Sequence, residues 1–308
     1  MKVRGCVPER SMLFLSQLAN ALVIGTLYAL MSLGLSLIFG VLKLVNFAHG
    51  ECLMVGGYLY YLLATVLKLP LSLSLALSLP VLFLFGVFLE GSLLRTPYQR
   101  KMARYDEYVI LVTFALGIFL QNLALPIFGP YNRQASPLFN GSVRIGELVI
   151  AGDRLTGAFV AFLVIGILLF FLYRTYLGKG LRAVAQSPGA AAIVGIKVLR
   201  MRAVAFGIGI ILAGVAGALF GPIFLVNPEM GTSFAVKAFV IVVLGGMGSI
   251  KGSIVGAYIL AIVESFGSIL LPDPSRALAY KDAYGLLLLV LVLLFRPQGL
   301  FGEKERRA

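Results

Sequence analysis

Residues 43–51 read KLVNFAHGE. Immediately before them lies SMLFLSQLANALVIGTLYALMSLGLSLIFGVL (11–42), and immediately after them CLMVGGYLYYLLATVL (52–67). A lysine, an asparagine, the single histidine of the chain and a glutamate thus separate two oily runs. Either this is a wetted turn, or it is a polar break lodged inside an apolar bundle. The rest of the chain sets the frame for that choice. Of its 308 residues 60% are hydrophobic and 13% charged, more apolar surface than a water-soluble fold can hide. Uncharged runs recur at 71–89, 108–128, 155–173, 203–226, 238–250, 252–263 and 283–295, and several reach the roughly 18–20 residues that cross a hydrocarbon core. They are continuously apolar rather than alternating, which argues against a β-barrel. The expected fold is an all-α polytopic membrane protein, one domain over 1–308, with about eight transmembrane helices plus broken or re-entrant segments.

The net charge of +13 would suggest nucleic acid in a soluble protein. Here the basic residues cluster in the gaps between apolar runs, where they set topology, and no basic helix with interleaved aromatics is present. Segments 95–104 and 174–202 carry only basic charges, as Arg95, Arg100, Lys101, Arg104 and then Arg174, Lys179, Arg182, Lys197, Arg200, Arg202. These segments and the tail from Arg296 are expected in the cytoplasm. The charge-mixed stretches 130–154, 227–237 and 272–282 are expected outside. Lys2, Arg4 and Arg10 against Glu9 favour an N-terminus inside. The start mimics a signal peptide, with a possible Ala-x-Ala at Ala19–Ala21, but the apolar run continues past it as a retained anchor does.

An inside N-terminus and an inside C-terminus require an odd crossing to be absorbed in the first third. A full span followed by a chain broken near KLVNFAHGE would do so. Broken backbone at membrane depth survives only where protein or a water-filled cavity surrounds it, and ionisable groups there face such a cavity. Asn46, His49 and Glu51 are therefore the candidate residues of a substrate path. The competing reading is an interfacial turn. Glu264, inside AIVESFG, is either a second site residue or an interhelical hydrogen-bonding group.

Small residues repeat every fourth position at Gly209, Ala213, Gly217, Gly221 and again at Gly248, Gly252, Gly256. Such ridges allow close helix packing, within the subunit or at a subunit interface. A glycine break at 245–252 predicts a short helix, a turn and a longer rising helix. In 178–202, LRAVAQ (181–186) favours helix, and Ser187-Pro188 offers an N-cap and first-turn proline for a short helix to about 194. This segment is either a basic loop held by anionic lipid or a rigid elbow for a cytoplasmic partner.

Catalytic sets are missing. There is no His-Glu-x-x-His, no Ser/His/Asp set and no carboxylate pair on one helix. Gly178-Lys179-Gly180 lacks the spacing of a phosphate loop, and Cys6 and Cys52 form no framework or metal motif. The chain is expected to be no enzyme, to hold no cofactor or metal, and to rely on other chains for any ATP.

GTLYALMSLGLSLIFGVLKLVNFAHGE, FALGIFLQNLAL, GKGLRAVAQSP, VLGGMGSIKGSIVGA and RPQGLFG occur in this order. Over about residues 15–302 the chain resembles the LivH-type permease subunits of bacterial ABC importers for branched-chain amino acids. The resemblance implies a second permease subunit, two cytoplasmic ATPase subunits, a periplasmic binding protein and an inner-membrane location. It puts Asn46, His49 and Glu51 near the translocation path. It also makes 181–196 the segment facing the ATPases, with Arg182, Ala185, Gln186, Ser187 and Pro188 as coupling residues. Family members often carry an acidic Asp-Pro-Glu run there; this chain has Ser187-Pro188-Gly189. Urea and short-amide permeases resemble the same family, and an ion-gradient carrier using Glu51 and Glu264 is the rival mechanism.

Overall fold

The computed structural model describes residues 9–302 apart from 140, 146–147 and 271–279. The described residues are almost entirely helical. Helix α1 (Glu9–Leu42) leads to an extended leg over 43–46 and then α2 (His49–Tyr60), which loosens into a π-helical turn at Tyr61–Val66. Next come α3 (Leu71–Leu89), with a π-helical turn at Glu90–Arg95 and the short α4 (Thr96–Gln99), and α5 (Tyr105–Phe128). A hairpin of β1 (Ser142–Ile145) and β2 (Leu148–Ala151) pairs Ser142 with Ala151 and Arg144 with Val149. The chain continues as α6 (Gly152–Arg174), α7 (Tyr176–Gln186), α8 (Pro188–Ile193), α9 (Val198–Phe224), α10 (Met230–Gly245), α11 (Ile250–Leu270) and α12 (Lys281–Phe295). Among the described residues six helices are long and apolar enough to span a membrane, and α10 and α12 are shorter apolar helices. The protein is a polytopic α-helical membrane protein of the expected kind.

α1 forms the axis. Its apolar window is 89% buried, against 22–28% for α3, α5 and α6. α9, α10 and α11 pack on α1, and α2 wedges between α9 and α10. Composition explains the difference. α1 and α9 carry small residues on several faces, so neighbours can approach all round. α3, α5 and α6 expose large side chains such as Leu84, Phe88, Phe114, Phe162 and Phe170, as lipid-facing helices do.

The glycine ridges pack inside the subunit. A side chain at Gly209 would meet Ile38 and the Gly34 carbonyl of α1, and one at Gly217 would collide with the Leu53 carbonyl of α2. Gly221 faces Val226 and Ala135, Gly252 faces the Gly245 backbone, and Gly256 faces Ile241. Ala213 is fully buried. Gly248, at φ 83°, turns between α10 and α11 against Gly40.

The two ends of the bundle are chemically distinct. Arg95–Arg104, α7, α8 and the 246–249 turn lie at one, the basic end; Leu300 and Phe301 donate backbone hydrogen bonds to the Leu244 and Gly245 carbonyls there, 2.9 and 3.0 Å. The β-hairpin lies at the other. The start of α1 lies away from the basic end. Asn20 Oδ1 accepts from Arg154 Nη1 at 2.7 Å, so α1 starts at the hairpin end and finishes at the basic end. The chain does break where expected, with Lys43 in the left-handed region at φ 58°. However, the extended leg climbs back beside α1 and α2 continues the climb. Leg and helix together make one crossing, so parity is unchanged. Lys2, Arg4, residues 272–279 and those beyond 302 lie outside the described residues.

Candidate functional site

The polar break folds inward. Asn46 and His49 are buried and Glu51 nearly so. The wetted-turn reading is therefore excluded. Asn46 Oδ1 accepts from the Ala48 N–H at 3.1 Å, closing the turn that starts α2. Thr113 Oγ1 on α5 accepts from the Phe47 N–H at 3.2 Å. His49 Nε2 lies 3.0 Å from the Met31 carbonyl of α1; a carbonyl only accepts, so that nitrogen carries the proton. Glu51 Oε1 accepts from Thr232 Oγ1 of α10 at 3.3 Å. Gly50 and Gly231 allow this, since a side chain at either would strike the other strand of backbone. Among the described residues, Asn46 Nδ2, His49 Nδ1 and Glu51 Oε2 have no hydrogen-bond partner. These are three polar atoms within six residues, each of which would cost about 1–3 kcal/mol if left without a partner.

Glu264 is also buried, and its partners were not legible in the sequence. Lys237 Nζ donates to Oε1 at 2.6 Å, and Tyr28 donates from its hydroxyl to Oε2 at 2.8 Å. Lys281 Nζ stands 3.6 Å from Oε2. Lys237 was expected in an outer loop; it is instead the eighth residue of α10. Thr232 and Lys237 are five positions apart, about 140° around a helix of 3.6 residues per turn. α10 therefore stands between two carboxylates, holding Glu51 on one flank and Glu264 on the other. Its exposed face carries Glu229, Thr232, Ser233 and Val236. Phe47 packs at a tilt against Phe239 of α10, centroids 5.1 Å apart.

A third buried pair marks the basic end. Arg202, expected at the close of a cytoplasmic loop, is the fifth residue of α9 and is buried. It lies 3.9 Å from Glu90, donates to Tyr105 Oη at 2.9 Å and stacks on Tyr98. The exposed part of the basic segment thus ends near Lys197.

α7 and α8 form the anticipated elbow. Ser187 Oγ caps α8 by accepting from the Ala190 N–H at 3.2 Å. Gln186, Ser187 and Pro188 are exposed, and exposed Arg182 covers the Tyr173 ring at 4.9 Å. Ala185 is half-buried and lines a groove of about 320 Å³ with Gly40 and Ser249. Sequence reasoning missed the outermost apolar residues, Ile193 and Val194, which are 88% and 74% exposed.

The family model for the branched-chain amino acid transport system permease component matches residues 17–295. The chain is 33% identical over 306 residues to the high-affinity branched-chain amino acid transport system permease protein BraD of Pseudomonas aeruginosa, covering 95% of this chain and 97% of that one. It is 32% identical over 308 residues to the corresponding permease protein LivH of Escherichia coli K12, covering 96% and 98%. It is also 29% identical over 307 residues to the permease protein LivM of that organism, covering 89% of this chain and 67% of that one. No solved structure matches.

Proposed function

The chain belongs to the permease components of branched-chain amino acid transport systems, and on that premise we propose that it is the membrane-spanning subunit of an ATP-driven importer. It carries leucine, isoleucine and valine inward by alternating access. ATP is hydrolysed on two separate cytoplasmic subunits, and a periplasmic binding protein delivers the solute. The similarity to both LivH and LivM supports a second, related permease subunit as the other half of the pathway. The excess of Arg and Lys supports a cytoplasmic basic end, C-terminus included.

The observation that carries the site assignment is the buried, partly unpaired set Asn46, His49 and Glu51 against the exposed face of α10. A mostly apolar route with a few polar groups passes a branched side chain without retaining it, and strong binding is left to the delivering protein. His49→Ala combined with Glu51→Ala is expected to reduce leucine uptake about tenfold or more while the complex still assembles, the scale of one or two lost polar contacts. Uptake assays in proteoliposomes read this; unchanged uptake removes the two residues from the path. The same liposomes without the ATPase subunits separate this mechanism from an ion-gradient carrier, which would still accumulate leucine. Competition by urea and short amides separates the substrates.

The elbow supports coupling through its apolar tip. Ile193→Asp places a charge where a partner groove must be dry, and is expected to lower transport-linked ATP hydrolysis about tenfold or more with the permease itself still folded. Normal coupling in that variant moves the docking surface to Arg182–Pro188.

A further inference from the structure

A cavity of about 280 Å³ opens at the hairpin end between α1, α9, α10 and α12. It is near the lower limit of the roughly 300–1,000 Å³ usual for small-molecule sites, the scale of a single amino acid. Glu229, Ser233, Lys237 and Lys281 supply its polar wall, and Phe224 and Phe234 its apolar one.

We propose that this cavity is a receiving subsite for a zwitterionic α-amino acid: Lys281 takes the carboxylate, Glu229 takes the ammonium, and the side chain lies on Phe224 and Phe234. The proposal rests on the transport reading above and adds to it a site distinct from the His49 region.

The charge balance selects the ligand class. Among the described residues three charged groups line the space, Lys237, Lys281 and Glu229, and the Lys237 charge is balanced by Glu264 beside it at 2.6 Å. That leaves Lys281 facing the cavity with Glu229, one charge of each sign, which disfavours a pure anion or cation and suits a ligand with both charges. Within the set, Glu264 is engaged by the short bonds from Lys237 and Tyr28, 2.6 and 2.8 Å. Among the described residues Lys281 makes the longer 3.6 Å contact with Glu264, so its ammonium can turn to a carboxylate with little loss. Glu229 is exposed, and its backbone is held by Asn227, whose Oδ1 accepts from the Glu229 N–H at 3.0 Å. Asn227 is itself anchored by donating to Asn132 Oδ1 at 2.9 Å. The opposite charges therefore sit on separately fixed elements, as recognition of two ends of one molecule requires.

The apolar wall is equally built. Phe234 stacks on Phe220 at 4.3 Å and meets Phe224 edge-on at 5.8 Å. Leu225, also on the cavity, has φ 67° and ψ 155°, a region that is nearly restricted to glycine. Such strain at a leucine gathers at ligand-facing turns rather than in plain connectors.

The test uses the complete importer in proteoliposomes, with radiolabelled leucine delivered by its binding protein. Lys281→Met and Glu229→Gln should each raise the KM for leucine about tenfold with Vmax nearly kept, the scale of one lost charge-assisted contact. Lys281→Arg should restore the KM, which loss of folding would not permit. Wild-type uptake should be inhibited by leucine but far less by 4-methylpentanoate, which lacks the ammonium, or by isoamylamine, which lacks the carboxylate. An unchanged KM in both variants, beside normal wild-type leucine uptake, overturns the subsite and leaves the transport reading standing. A wild-type importer that carries no leucine overturns both.

Discussion

Glu264→Ala should destabilise the folded subunit by about 3–5 kcal/mol, the usual cost of removing one partner from a buried ion pair. The carboxylate is 1% exposed and satisfies Lys237, Tyr28 and Lys281 together. Without it, Lys237 loses its 2.6 Å partner and Lys281 its nearby carboxylate, and the compensation for placing these charges among packed helices falls. The glutamate comes from α11, the lysines from α10 and α12, and the tyrosine from α1, so the loss loosens four helices at one point. Thermal unfolding in detergent, followed by size-exclusion, reads the effect. Lys237→Met combined with Glu264→Met should recover much of the loss, because a well-packed apolar pair replaces a buried ion pair at little or no cost. A single Glu264→Ala variant as stable as the parent would show that the cluster is hydrated and contributes nothing to the fold.

Gly56→Val should prevent the native packing of α2 altogether. A Cβ at Gly56 would overlap the Cα, carbonyl carbon and oxygen of Gly214 on α9. One turn further along, Gly217 presses on the Leu53 carbonyl and the Gly57 amide. Both contacts are backbone on backbone, so no side chain can swing aside. The cost should exceed the ~1–3 kcal/mol of ordinary overpacking. Because α2 also carries His49 and Glu51, its displacement should abolish uptake together with assembly. Gly166→Ala is the control: nothing lies within 4 Å of a Cβ there, and the change should be neutral or mildly stabilising, since alanine favours helix. Membrane-inserted yield and co-purification with the partner subunits separate the two outcomes. Equal yields for both variants would mean that α2 and α9 do not cross at this distance.

The site was half legible. KLVNFAHGE announced itself because a break with three functional groups is costly in an apolar run, and that cost is local. The same logic flagged Glu264. Arg202 and Lys237 escaped it because each lies within a turn or two of a helix end, where the sequence pattern of a loop lysine or arginine is identical. Only the neighbour decides: Glu90 with Tyr98 and Tyr105 draws Arg202 inward, and Glu264 does the same for Lys237. The parity argument over the first third also failed. It assumes that a broken segment turns back, whereas the leg at 43–46 rises and hands over to α2.

Apolar runs long enough for a bilayer, the break at 43–48, the Ser187 cap and the spacing of the glycines follow from the chain alone, because each depends on residues within a few positions of one another. The choice of α1 as axis, the seating of α10 between Glu51 and Glu264, and the cavity under Lys281 emerge only in three dimensions. Their partners lie up to 236 positions apart, and attraction between charges depends on separation in space, which no local pattern encodes.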